Sequence, residues 1–78
     1  MLSELDGKNI QVWCGVFIYA GKLVGFDDYA LKLADAYVVY DTGPLRADSF
    51  LDSQKLPDPY TLIPRGAIES ISHAPQLD

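Results

Sequence analysis

The stretch "GFDDYA" at residues 25–30 sets two carboxylates, Asp27 and Asp28, directly before Tyr29, between two runs of strand-forming residues. Paired carboxylates can divide general-acid and general-base work. Adjacent residues of an extended chain point to opposite faces, however, so these two would not converge on one substrate atom. The other groups suited to covalent or metal chemistry are single: Cys14 lies in a strand-like run, and His73 lies on a tail that reads as frayed. One cysteine and one histidine far apart form neither a nucleophile–base pair nor a ligand set. The residues therefore predict no enzyme, no metal and no cofactor. What they leave is a loop that looks held open for something. For Asp27 the plain reading is structural, because a carboxylate at the start of a turn accepts hydrogen bonds from nearby backbone amides. Asp28 reads as solvated.

The elements that position this loop read as strands. "MLSELD" can make one short helix, with Ser3 as N-cap and Asp6-Gly7 closing it. "KNIQVWC" alternates, placing Ile10, Val12 and Cys14 on one face and Asn9, Gln11 and Trp13 on the other. "VFIYAGKLVGF" is β-branched and aromatic, and its internal Gly21 and Gly25 mark a sharp bend or a close backbone approach. "LKLADAYVVY" continues as a third strand, with Leu31 and Leu33 opposite Lys32. Residues 41–59 hold three prolines and four aspartates and read as a long connection, with room for a hairpin extension at its base. "YTLI" resumes as a strand that stops at Pro64, "RG" makes a tight turn, and "AIESIS" forms the last strand. Five strands without helical crossovers predict an all-β single domain over residues 1–78, a small, strongly bent, antiparallel open barrel with a short N-terminal helix.

Length and charge narrow the function classes. A chain of 78 residues buries only roughly 60% of its unfolded surface, so partner subunits are the expected supplement where disulfides and metals are absent. The apolar runs at 16–20 and 36–40 are far too short to span a membrane. The N-terminal residues show no basic-then-apolar leader pattern, which predicts a reducing, cytoplasmic compartment. The net charge of −5 argues against a nonspecific duplex-DNA binder and does not exclude a local basic site. Trp13 has two readings: cover for the barrel, or the lining of a second binding face. Tyr19, Tyr37, Tyr40 and Tyr60 read as cross-strand packing, and Cys14 as a small core hydrophobe.

Two motifs in order, separated by a variable connection, resemble the Sm-like (LSm and Hfq) family. "GKLVGFDDY" is similar to the family's first motif: a glycine, an apolar residue two positions on, then Phe-Asp-x-aromatic. "LIPRGAIESIS" is similar to the second, in which apolar residues lead to a basic residue, a small residue and two isoleucine-type positions three apart. The resemblance covers roughly residues 2–40 and 60–72. The chain mixes branches. Ala30 and Leu31 stand where LSm proteins usually carry a base-reading asparagine, Arg65-Gly66 is the LSm choice over the Lys-His of Hfq, and the rim arginines of Hfq are missing.

The resemblance implies that the loop carrying Asp27, Asp28 and Tyr29 lies beside Arg65 and Gly66 at a central pore. Tyr29 would then stack a nucleotide base, Arg65 would cover its other face or meet phosphate, Gly66 would let the backbone approach, and Asp27 would complete the RNA-binding set. The plainer alternatives are a half-buried barrel tyrosine and a surface turn arginine. The implied partner is single-stranded RNA, held by a closed homo-oligomeric ring of roughly five to seven subunits, with no small-molecule substrate and no membrane. A ring that serves as a protein-interaction scaffold, having lost RNA, is the alternative, and a monomeric SH3-like module for basic peptides stands third. The acidic excess is expected on the outer rim at Asp41, Asp48, Asp52 and Asp58, with Arg65 facing the pore.

Overall fold

The computed structural model describes residues 2–15, 17–41 and 52–74. A 3-10 turn at Leu2–Leu5 is followed by β1 (Asn9–Cys14), β2 (Phe17–Phe26), β3 (Ala30–Asp41), β4 (Asp52–Lys55) and β5 (Tyr60–Pro64), then a second 3-10 turn at Arg65–Ala67 and β6 (Ser70–His73). All strand pairs are antiparallel, in the order β4-β3-β2-β1-β6, with β5 also paired to β3. The protein is an all-β open sheet.

The opening turn is four residues long, too short for an α-helix to repay its nucleation. Gly7 closes it with φ of 79°, a left-handed conformation that glycine adopts freely. Its N–H donates to Leu23 O at 2.8 Å and leads the chain into β1.

Strand β3 organises the sheet. Along one side it pairs β2; along the other, Ala30–Ala34 pairs β5 and Tyr37–Asp41 pairs β4. The two partners are separated by a break at Asp35, whose φ of 49° takes it out of strand geometry. Across from that break, β2 shifts register between Ala20 and Lys22. Gly21 makes the bend sterically possible. A Cβ there would stand 3.0 Å from Ala34 O and 3.1 Å from Ala36 Cα, and both are backbone atoms that cannot swing away. Gly21→Ala is therefore expected to cost about 1–3 kcal/mol. Gly25→Ala should be close to neutral, since its new Cβ would meet only the Lys32 side chain at 3.8 Å. Thermal melts of the two variants check this, and equal melting temperatures would contradict the account of the bend.

The bend brings alternate residues of four strands into one core: Ile10, Val12, Leu23, Leu31, Leu33, Ala36 and Ile63. Leu2, Leu5, Leu56, Ile68 and Ile71 pack around it. The alternation read from the sequence holds for Ile10/Val12 and Leu31/Leu33. Gln11 departs from it. Although it lies on the other face, it is only 4% exposed, flanked by Ala20 on β2 and Ser72 on β6.

Several expectations need correction. The sheet has six strands rather than five, because Asp52–Lys55 inside the 41–59 connection pairs with β3. The N-terminal helix is a 3-10 turn, and no α-helix occurs among the described residues. The last strand begins at Ser70, since Arg65–Ala67 is a 3-10 turn closed by Ile68 N–H to Arg65 O at 3.1 Å. His73 belongs to that strand, and Ala74 is fully buried with its N–H on Asn9 O, so neither is frayed. Tyr40 and Tyr60 are more than half exposed, yet each keeps a cross-strand contact: Tyr40 Oη donates to Gln54 Oε1 at 3.2 Å, and Lys32 lies against the Tyr60 ring. The remainder of the connection, residues 42–51 with Asp48, lies outside the described residues.

Candidate nucleic-acid interface

The loop between β2 and β3 is a three-residue turn held by one carboxylate. Asp27 Oδ1 accepts the N–H of Tyr29 at 2.7 Å and the N–H of Ala30 at 2.9 Å, while Asp27 N–H donates to Ala30 O at 3.0 Å. The Tyr29 and Ala30 amides hold the Asp27 carboxyl below its ordinary value, and the nearby Arg65 charge acts in the same direction. The structural reading of Asp27 is the one its contacts display.

With the Asp27 carboxylate bonded back onto the turn's own amides, the tyrosine side chain is turned out. Tyr29 is 83% exposed, so its ring is not a barrel packing residue. Its backbone reaches the second motif directly, because Arg65 N–H donates to Tyr29 O at 2.9 Å. This bond continues the β3–β5 ladder by one step beyond Ala30–Pro64. Segments 36 positions apart in sequence (29 and 65) thus share one end of the sheet.

Arg65 is half-buried, and its Nε–H is buried with no acceptor among the described residues. A buried donor without a partner is costly unless something outside the chain satisfies it. Gly66 follows on the 3-10 turn, and a Cβ there would meet nothing within 4 Å. The chain's own packing therefore does not require glycine at that position. Asp28 is exposed. The structure brings Asp27, Tyr29, Arg65 and Gly66 together, but no ring–cation contact joins Tyr29 to Arg65.

That contact occurs elsewhere. Lys32 Nζ sits 4.1 Å from the Tyr60 ring centroid, a pair that the sequence does not announce. The signal lies in the alternation that turns Lys32 away from Leu31 and Leu33, but it needs the β3–β5 register to find its partner. Asp41 and Asp52, paired across β3 and β4, lie at the opposite end of β3 from the Tyr29 turn, and Asp58 is exposed on the approach to β5. Among the described residues no group of histidine, cysteine, aspartate or glutamate could hold a metal ion, and no helix is long and apolar enough to cross a membrane.

The protonation of Asp27 sets an acid limit on the turn. Its folded value lies below the ordinary carboxylate value of about 3.9, so its contribution is present above that value and lost as pH falls through the folded one. Asp27→Asn is expected to lower the melting temperature most near neutral pH, with the gap to wild type closing as the pH falls below the ordinary carboxylate range. A gap that stays constant with pH would contradict the charged turn.

Fold and site together define a small all-β chain that presents an exposed tyrosine and a half-buried arginine at one end of a bent sheet. No family model, curated protein or solved structure matches it.

Proposed function

We propose that this chain is a divergent Sm-like subunit that closes into a homo-oligomeric ring and binds single-stranded RNA, one pocket per subunit, in a cytoplasmic setting. The observation that carries this reading is the 2.9 Å bond from Arg65 N–H to Tyr29 O, which joins the two motifs into one site. Tyr29 offers a free stacking face, and stacking of this kind tolerates any base. Arg65 brings a half-buried planar cation, of the kind suited to a phosphate oxygen or a base edge. Gly66 keeps the turn bare where a strand of RNA would pass. Asp27 holds the turn and binds no ligand through the oxygen already engaged.

Assembly is supported by the strand edges. Within the described chain β5 pairs only β3, and β6 pairs only β1, so each leaves one side unpaired. Edges of this kind recruit further strands, and head-to-tail pairing of β5 with a neighbour's β6 closes into a ring. Repetition of a weak pocket around such a ring gives avidity for one RNA strand.

The net charge of −5 favours a second reading, a ring that serves as a protein-interaction scaffold. Fluorescence anisotropy with labelled uridine- or adenine-rich oligonucleotides at low salt separates the two. RNA binding predicts a Kd tighter than about 100 μM, and weaker binding would hand the site to the scaffold reading.

A further inference from the structure

We infer that the outer face of β2, β3 and β5 is a second, anion-accepting subsite that carries the RNA strand onward from Tyr29; this rests on the RNA reading above. The register places Lys22, Ala34 and Tyr60 in one row across the three strands, Gly25, Lys32 and Leu62 in the next, and Ala30 with Pro64 in the third. These eight residues include two lysines and no carboxylate, in a chain with eleven acidic residues. The two cationic rows are about 7 Å apart along the strands. Leu62 is 67% exposed and Tyr60 53% exposed, so the face offers apolar and aromatic surface to a ligand.

A shallow depression of about 230 Å³ indents this face, lined by Gly25, Phe26, Asp27, Ala30, Lys32 and Leu62. It shares Asp27 and Ala30 with the turn that projects Tyr29, so the depression adjoins the tyrosine's turn. Gly25 is part of its lining, and only Lys32 atoms lie within 4 Å of where a Cβ would stand there. Lys32 is held over the Tyr60 ring, which fixes the ammonium at the face while leaving it able to meet a phosphate. Asp27 stands at the near end, and its charge directs phosphate away from itself and towards the lysines. Local cationic charge on an apolar, aromatic face matches a polyanion with stackable rings.

The test is anisotropy with uridine-rich 4-mer and 18-mer RNA on wild type, Lys32→Gln and Gly25→Val, each variant first checked for melting temperature and native mass. Lys32→Gln should weaken the 18-mer several-fold and leave the 4-mer within about twofold. It should also flatten the 18-mer salt slope by about 0.7 for each phosphate that is no longer neutralised. Gly25→Val fills the depression and should likewise weaken the longer RNA. Wild type that binds both lengths, with the 18-mer unchanged in both variants, would overturn this inference and leave the Tyr29 site standing. Wild type that binds neither would overturn both. Binding of poly-glutamate that depends on Lys32, without RNA binding, would assign the face to an acidic protein partner and overturn the RNA path.

Discussion

Tyr29→Ala is expected to weaken binding of a short uridine- or adenine-rich RNA by roughly 5- to 150-fold while leaving fold and assembly unchanged. The loss corresponds to about 1–3 kcal/mol for one stacked base, and repetition around a ring multiplies it for longer strands. The fold should survive because the ring is 83% exposed and only the backbone of Tyr29 is bonded, to Asp27 and Arg65. Arg65→Ala should also weaken binding and should flatten its salt dependence, because a charge that neutralises phosphate has gone. Arg65→Lys restores the charge without the planar fork, so partial recovery is expected. Fluorescence anisotropy at several salt concentrations reads all three variants. Tyr29→Ala binding as tightly as wild type would remove the tyrosine from the site.

Leu62→Pro is expected to break the assembly while sparing the monomer. In an antiparallel ladder, residues alternate between bonding one neighbour and facing the other way. Arg65 N–H bonds Tyr29 O, and Asp35 N–H bonds Pro59 O at 3.3 Å, so Ile63 and Thr61 between them bond β3. Tyr60, Leu62 and Pro64 turn their backbone groups to the open side. Proline at 62 therefore removes an N–H that no strand of the same chain uses, whereas Thr61→Pro removes one from the β3 ladder. Light scattering should show Leu62→Pro as a folded species of about 8.6 kDa. Thr61→Pro should instead lose thermal stability. A Leu62→Pro protein with the wild-type assembly mass would rule out β5 as the pairing edge.

The parts of the fold that were legible in the sequence are those where burial enforces alternation. Ile10 and Val12, and Leu31 and Leu33, face one core, and Lys32 between the leucines faces out. Strand β4 was not legible as such, since "DSQK" is exposed along its length and has no apolar alternation; only its pairing with Tyr37–Asp41 makes it a strand. The start of the last strand was misplaced because "AIESIS" has strand composition from its first residue. The local i→i+3 bond from Ile68 to Arg65 wins there. Gln11 follows the strand period yet is buried by neighbours on both sides, which is a tertiary fact.

At the site, the turn chemistry of Asp27 was readable because it depends on residues two and three positions ahead. The approach of Arg65 to Tyr29 was not readable from spacing. It follows from the β3–β5 register, and in the sequence it could be reached only through the resemblance. The pairing of Lys32 with Tyr60 follows from the same register, one row apart, and no motif pointed to it.

The central claim is a ring that holds RNA, and native mass spectrometry of protein purified without nuclease tests it most directly. The account predicts a single closed species at about five to seven times the 8.6 kDa chain mass, with added mass that nuclease removes and that Tyr29→Ala lacks. A monomer or simple dimer at micromolar concentration, carrying no nuclease-sensitive mass, would contradict it.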